Sequence, residues 1–312
     1  MNSKQARLGS MSVEMNDIET SQLVRPAKRR VEEARPVVKI RPPGQFSALA
    51  LGELWQHRDL FWALAVRDLK VRYKQTALGV VWVVLQPLMA ALIFTFVFGY
   101  LVKVPSDNVP YILFAFAGMV GWQAFNSTLN KASDCIVGNS QLVSKVYFPR
   151  LVLPLSTVLS TLIDTAVGLG MMAVLLLVYG FRPGIGIVMF PVVLLLLIIL
   201  AVGLGLFTSA MMVTYRDLRH VIPVFVQFLM YGSPVGYPLS LVQDKLNNHP
   251  LLQMLYFCNP LVELLEVFRW SLLGKGSIRW DWFGYSVAVV VGVFVFGAFA
   301  FKRMERRFAD VI

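Results

Sequence analysis

Long apolar runs separated by short polar breaks organise this chain. They occupy residues 78–102, 111–130, 151–179, 185–213, 221–237 and 283–301. A hydrocarbon core of about 30 Å needs about 20 apolar residues in a helix, and all but the fifth run comfortably meet that length. The fifth is short and carries Pro223, Gly232, Pro234, Gly236 and Pro238, so a break is predicted at its outer end. A further run, 252–273, is long enough to cross but contains Glu263, Glu266 and Arg269, with Asn259-Pro260 near its start. Each charge at a helix centre costs roughly 2.5–3.5 kcal/mol on insertion scales. The pattern therefore predicts a helix–break–helix that enters the membrane and returns. Irregular backbone at that depth survives only against protein or a water-filled cavity, which makes a pore or transport path the first functional hypothesis.

Ahead of the first run, residues 53–75 predict an amphipathic helix. Trp55, Trp62, Val66, Leu69 and Tyr73 follow one apolar stripe, and Arg67, Lys70 and Lys74 share another face. Aromatic and basic residues mixed in this way suit a helix lying in the membrane interface. Residues 1–45 are polar and basic, interspersed with prolines, and have little to bury; a disordered tail is expected. The predicted fold is an all-α integral membrane protein. It has an N-terminal interface helix, six transmembrane helices, and re-entrant helices between spans five and six. The predicted domains are the tail, 1–45, and a transmembrane domain, 46–312.

The formal charge of +11 among 312 residues, 57% of them hydrophobic, is a matter of topology rather than of nucleic-acid binding. Arg58, Arg67, Lys70, Arg72 and Lys74 precede span one, Lys131, Lys145 and Arg150 lie in or beside the loop after span two, and Arg216 and Arg219 follow span four. Lys302, Arg303, Arg306 and Arg307 follow span six. The positive-inside rule places this group, and both termini, in the cytoplasm. Were 252–273 to cross, the last basic cluster would face outward, so charge and parity both favour re-entrance.

Candidate bond chemistry is scarce. The first fifty residues show no secretory apolar region. No Walker A spacing, G-x-S-x-G elbow or H-E-x-x-H occurs; Gly274-Lys275-Gly276 lacks the required spacing. Cys135 and Cys258 fall on opposite sides in this topology, and His57, His220 and His249 are scattered. No metal site, cofactor or catalytic residue is expected in this chain. Active transport would draw on an ion gradient or on another subunit.

Several ordered motifs carry a family resemblance. Arg67-Asp68-Leu69-Lys70-Val71-Arg72-Tyr73-Lys74-Gln75-Thr76-Ala77-Leu78-Gly79 leads to Trp82 and Leu85-Gln86-Pro87-Leu88. Ser144-Lys145-Val146-Tyr147-Phe148-Pro149-Arg150, Tyr215-Arg216-Asp217-Leu218-Arg219, Asn259-Pro260-Leu261 and Phe268-Arg269-Trp270 come after it. From about residue 46 onward the chain resembles the ABC-2 type permease subunits that export polysaccharides such as O-antigen and teichoic acid. The resemblance implies a homodimer that docks two cytoplasmic ATPase subunits, which hold ATP and Mg. It also implies a glycan linked to polyprenyl pyrophosphate, threaded across the bacterial inner membrane. Capsule, lipid or drug export by the same superfamily stays open, as does the role of the basic tail.

On that reading the helix at 53–72 and the loop at 138–150, with Gln141, Lys145, Tyr147, Phe148 and Arg150, would dock the ATPase; simple topogenic charge is the alternative. Arg67, Lys70, Arg72 and Lys74 would capture the lipid pyrophosphate or only bulk anionic lipid. Trp82, Gln86, Phe94 and Phe98 in span one would line the glycan channel. So would Trp122, Gln123, Phe125 and Asn126 in span two, and Phe225, Gln227, Phe228 and Tyr231 in span five. Asp164, near the centre of span three, is either a functional intramembrane carboxylate or a packing residue beside Thr161 and Thr165. Glu263, Glu266 and Arg269 come after Asn259-Pro260 at i, i+3, i+6 spacing. They are expected to form a local Glu266–Arg269 ion pair or to line the outer channel mouth.

Overall fold

A computed structural model describes residues 55–74, 79–106, 109–276, 278–305 and 308. The basic tail lies outside the described residues. The chain divides at Gln45–Phe46, and all the described residues belong to the second unit. Every regular element among them is helical. Helix α1, Arg58–Lys74, precedes α2, Gly79–Phe94, which a π-helical turn extends through Thr95–Leu101. Then come α3, Tyr111–Gly138, a short α4, Ser140–Lys145, and α5, Val152–Val178. A 3₁₀ turn, Ile185–Met189, leads into α6, Phe190–Thr214. Helix α7 is Leu218–Tyr231, α8 Leu239–Leu246, α9 Pro250–Phe257, α10 Pro260–Leu273 and α11 Trp280–Glu305.

Among the described residues, five helical stretches are long and apolar enough to cross a membrane: α2 with its π turn, α3, α5, α6 with its 3₁₀ turn, and α11. Helices α9 and α10 meet at a bend of 72°, the helix–break–helix predicted for 252–273. The break is local in origin. Asn259 Oδ1 accepts from the Leu261 amide at 3.1 Å, and Pro260 occupies the first helical position, where its missing N–H costs nothing. Gly274, at φ 64°, ends α10 in the left-handed conformation that glycine adopts without strain. Helix α7 has 14 residues, about 21 Å at 1.5 Å per residue, and so does not cross a hydrocarbon core by itself. The chain beyond it, Ser233–Gly236, is buried. Its backbone is satisfied by protein: the Tyr111 hydroxyl donates to the Gly236 carbonyl and Arg269 Nη2 donates to the Pro234 carbonyl. Asn259 Nδ2 donates to Ser233 Oγ at 3.0 Å.

Helix α3 is the centre of the bundle, packing against α5, α6 and α10, while α11 lies along α6. Its 28 residues, about 42 Å, overrun the predicted 111–130 by two turns. Phe116, Phe125, Leu197, Leu200, Leu264 and Phe268 belong to the main buried cluster, and Ile136, Phe148, Leu151, Leu206, Phe301 and Phe308 to a second one at the α1 end. Close helix approach depends on glycine, as at Gly121 and Gly203. A Cβ at Gly121 would stand 2.8 Å from the Phe268 ring, and one at Gly203 2.7 Å from the Phe294 backbone.

Candidate translocation surface

At the α1 end, the interface helix leans on the bundle through Leu64 and Ala65, which are buried, while Trp55, Trp62 and Val66 are exposed. Of the apolar stripe read from the sequence, Trp55, Trp62 and Val66 thus turn away from the protein and Leu69 is half-buried, while the Tyr73 side chain lies outside the described residues. Arg67 pairs with Asp68 at 2.8 Å and donates to Asn139 Oδ1 at 2.7 Å, tying α1 to the end of α3. Lys70 is exposed. The side chains of Arg72 and Lys74 lie outside the described residues.

The 138–150 segment separates into presented and supporting residues. Gln141 and Lys145 are exposed, and Tyr147 is 78% exposed. Phe148, by contrast, is buried in the second core cluster. Arg150 Nη1 donates to the Glu305 carbonyl at 2.7 Å, and its guanidinium lies 5.4 Å from the Phe308 ring centroid. Phe148 and Arg150 therefore anchor the segment from below. The sequence shows the polar–aromatic pattern but not which aromatic turns inward.

Within the bundle, a small cleft of about 30 Å³ lies between α2, α3 and α5. Gln86 comes from α2, Gln123 and Ser127 from α3, and Thr161, Asp164 and Thr165 from α5. Lys131 Nζ donates to Asp164 Oδ2 and to Ser160 Oγ, both at 2.9 Å. The sequence pattern places Lys131 in or beside the loop after span two. Because α3 continues to Gly138, it is instead a charge inside the helical bundle. Its partner is invisible to local pattern, since 33 residues separate the pair. Asp164 is buried, and the pairing offsets the cost of holding its charge away from water.

The predicted channel residues do not share one environment. Trp122 and Phe125 are buried in the core of the chain itself, at 2% and 0% exposure, and cannot face a path in this conformation. Phe94 and Phe98 are half-buried and pack edge-on at 5.6 Å. Trp82 and Gln86 are exposed; Gln123 and Asn126 are partly so. Phe225, Gln227, Phe228 and Tyr231 are all exposed on α7.

At the far end, Glu263, Glu266 and Arg269 are each about 1% exposed. Arg269 Nη1 donates to Glu266 Oε2 at 2.8 Å, and its guanidinium lies 3.9 Å from the Phe114 ring centroid. Together with the bond to Pro234, this one side chain joins α10, α3 and the broken chain beyond α7. Glu263 Oε1 accepts from the Arg279 amide at 2.9 Å. The expected local ion pair is present. The alternative, a polar lining of an open mouth, does not fit groups this deeply buried.

Several long apolar helices beside a sharply bent helix pair define a multi-pass membrane protein. Residues 59–273 match the family described as ABC-2 type transporter, and the chain belongs to that family. It is 33% identical over 217 residues to the O-antigen export system permease protein RfbA of Myxococcus xanthus, covering 70% of this chain and 81% of that protein. To RfbA of Klebsiella pneumoniae it is 27% identical over 255 residues, 81% of this chain and 95% of the relative. The polysialic acid transport protein KpsM of Escherichia coli is 26% identical over 216 residues, 68% of this chain and 80% of that protein.

Proposed function

We propose that this chain is the membrane-spanning permease subunit of an ATP-driven exporter that moves a polysaccharide, in the first instance lipid-linked O-antigen, across the bacterial inner membrane. The observation that carries the reading is the exposed aromatic–amide face of α7, bearing Phe225, Gln227, Phe228 and Tyr231. Aromatic faces stack on sugar C–H groups, and an amide exchanges hydrogen bonds with hydroxyls as a chain slides past. The names of the relatives support the same cargo. The similarity to KpsM favours, as a second reading, an acidic polysaccharide such as the polysialic acid of that relative's name.

Two copies of the chain would flank the path, and each would dock a separate ATPase that holds ATP and Mg. Gln141, Lys145 and Tyr147 would contact the ATPase, with Phe148 and Arg150 holding the segment in place. Arg67 and Lys70, with Arg72 and Lys74, would meet the pyrophosphate at the cytoplasmic surface. Both termini would be cytoplasmic, and α9–α10 would shape the exit.

Deleting the gene and measuring glycan on the cell surface tests the cargo. Loss of the surface polysaccharide with its accumulation inside the cell is expected; unchanged display would reject it. Site-specific cross-linking from Gln141, Lys145 and Tyr147 to a co-purifying ATPase tests the docking face, and no adduct from any of the three would reject that assignment.

A further inference from the structure

The Tyr215-Arg216-Asp217-Leu218-Arg219 motif, which leads from α6 into α7, has no part in the docking, capture or exit roles. Its last residue reaches a second helix: Arg219 Nη2 donates to Asp134 Oδ2 of α3 at 3.1 Å. Neither charge favours its own helix. Arg219 stands in the first turn of α7, where the helix dipole is positive, and Asp134 stands about one turn from the C-terminal end of α3, where it is negative. Each charge is therefore compensated by the other helix rather than by its own. The pair is also weak. It is largely exposed, and Asp134 Oδ1 is buried without a hydrogen-bond partner among the described residues. An exposed pair contributes little to stability, and an unsatisfied carboxylate oxygen offsets part of that. Such a contact is poorly suited to holding the fold together and well suited to opening and closing.

The pair joins two parts of the molecule with separate roles. Asp134 comes one turn before the 138–150 segment, whose exposed Gln141, Lys145 and Tyr147 are assigned to the ATPase. Arg219 begins α7, the helix with the aromatic–amide face. Helix α7 is otherwise lightly seated, with Ile222 and Val226 as its buried residues. Pro223 lies inside it and has no N–H to offer the Arg219 carbonyl one turn back. That missing bond makes a hinge about which the first turn of α7 can close on α3 or leave it.

We infer that the Asp134–Arg219 pair is a latch between the ATPase-docking segment and the glycan-facing helix. Closed, it seats the first turn of α7 on α3, and movement of the docking segment during the ATP cycle passes to α7 through it. Both are positioning residues; neither touches glycan or nucleotide. The inference rests on the polysaccharide-export reading and adds the connection between its docking face and its aromatic face.

The ratio of glycan moved to ATP hydrolysed tests it. The full chain is reconstituted in proteoliposomes with a co-purifying ATPase, and the probe is radiolabelled lipid-linked glycan from the cells that carry the gene. The variants are Asp134→Asn, Arg219→Gln, and the exchange of Asp134→Arg with Arg219→Asp. Each single variant should assemble and hydrolyse ATP as the unmodified chain does. Glycan moved per ATP should fall at least about threefold, within the range by which residues linking two sites alter their coupling. The exchange should restore the ratio, because it re-forms the pair with each charge at the helix end that the dipole favours. If the exchange fails to accumulate, Asp134→Asn with Arg219→Gln decides: a ratio equal to that of either single variant supports the pair, and additive losses overturn it. An unchanged ratio in the single variants would overturn the latch, as would an exchange no better coupled than they are. Equal loss of hydrolysis and transport would also overturn it, marking a merely structural pair. Any of these beside an unmodified chain that needs ATP to move glycan defeats the latch alone. An unmodified chain that moves glycan without ATP defeats the exporter reading and the latch with it.

Discussion

Two parts of this protein place opposite charges inside a helical bundle and treat them differently. In α10, Glu266 and Arg269 are about 1% exposed, and Arg269 also bonds to Pro234 and lies over Phe114. Between α3 and α5, Lys131 and Asp164 are 26% and 8% exposed at the side chain and border a small cleft. The first pair is sealed and holds a broken chain together. The second is reached from a polar surface. Charge within an apolar run therefore has two meanings here, and the difference lies in what surrounds the pair rather than in residue type.

The strongest way to break this contrast is to remove one side of the sealed pair. Arg269→Met should cost about 3–5 kcal/mol, because it leaves a buried carboxylate uncompensated, and should lower the thermal unfolding midpoint in detergent. Glu266→Met with Arg269→Met should recover much of that loss, since no lone charge remains. A double variant no more stable than the single one would show that Arg269 acts mainly through Pro234 and Phe114.

Gly121→Ala comes next. Its Cβ would approach the Phe268 ring at 2.8 Å, so α10 or the ring must shift. The expected cost is about 1–3 kcal/mol, and Phe268→Leu in the same chain should relieve part of it. Lys131→Met should cost less, about 1–2 kcal/mol, because water in the cleft can solvate Asp164. A loss as large as that of Arg269→Met would mean that the cleft is dry and the two pairs are alike. The smallest effect belongs to Arg219→Ala. Its pairing with Asp134 is largely exposed, at 57% and 39%, and should contribute below about 1 kcal/mol, lost in high salt.

The sealed region is legible in the sequence because its signals are local. Asn259-Pro260 both caps and starts α10, Gly274 ends it, and Glu266 and Arg269 are one turn apart. The second region is only half legible. The sequence reads span two as ending at residue 130, with Lys131 in or beside the loop after it. In fact α3 continues to Gly138, because the side chains of Asn126, Asn130 and Lys131 are satisfied along the helix and across to α5. That compensation comes from residues far away in sequence. Trp122 and Phe125 mislead for a related reason. An aromatic beside an amide suggests a sugar path, but on α3, which has neighbours on several sides, the aromatics pack inward and only Gln123 and Asn126 remain partly exposed. Phe148 and Tyr147 show the same ambiguity over one residue, where neighbouring side chains take opposite fates.

The most direct test of export is transport itself. The chain, co-reconstituted in proteoliposomes with the ATPase subunit proposed above, should move a radiolabelled lipid-linked glycan into the lumen when ATP and Mg are supplied. Movement should stop with a non-hydrolysable ATP analogue. Glycan movement that is unaffected by ATP but tracks an imposed ion gradient would contradict the exporter reading and make this chain a gradient-driven carrier.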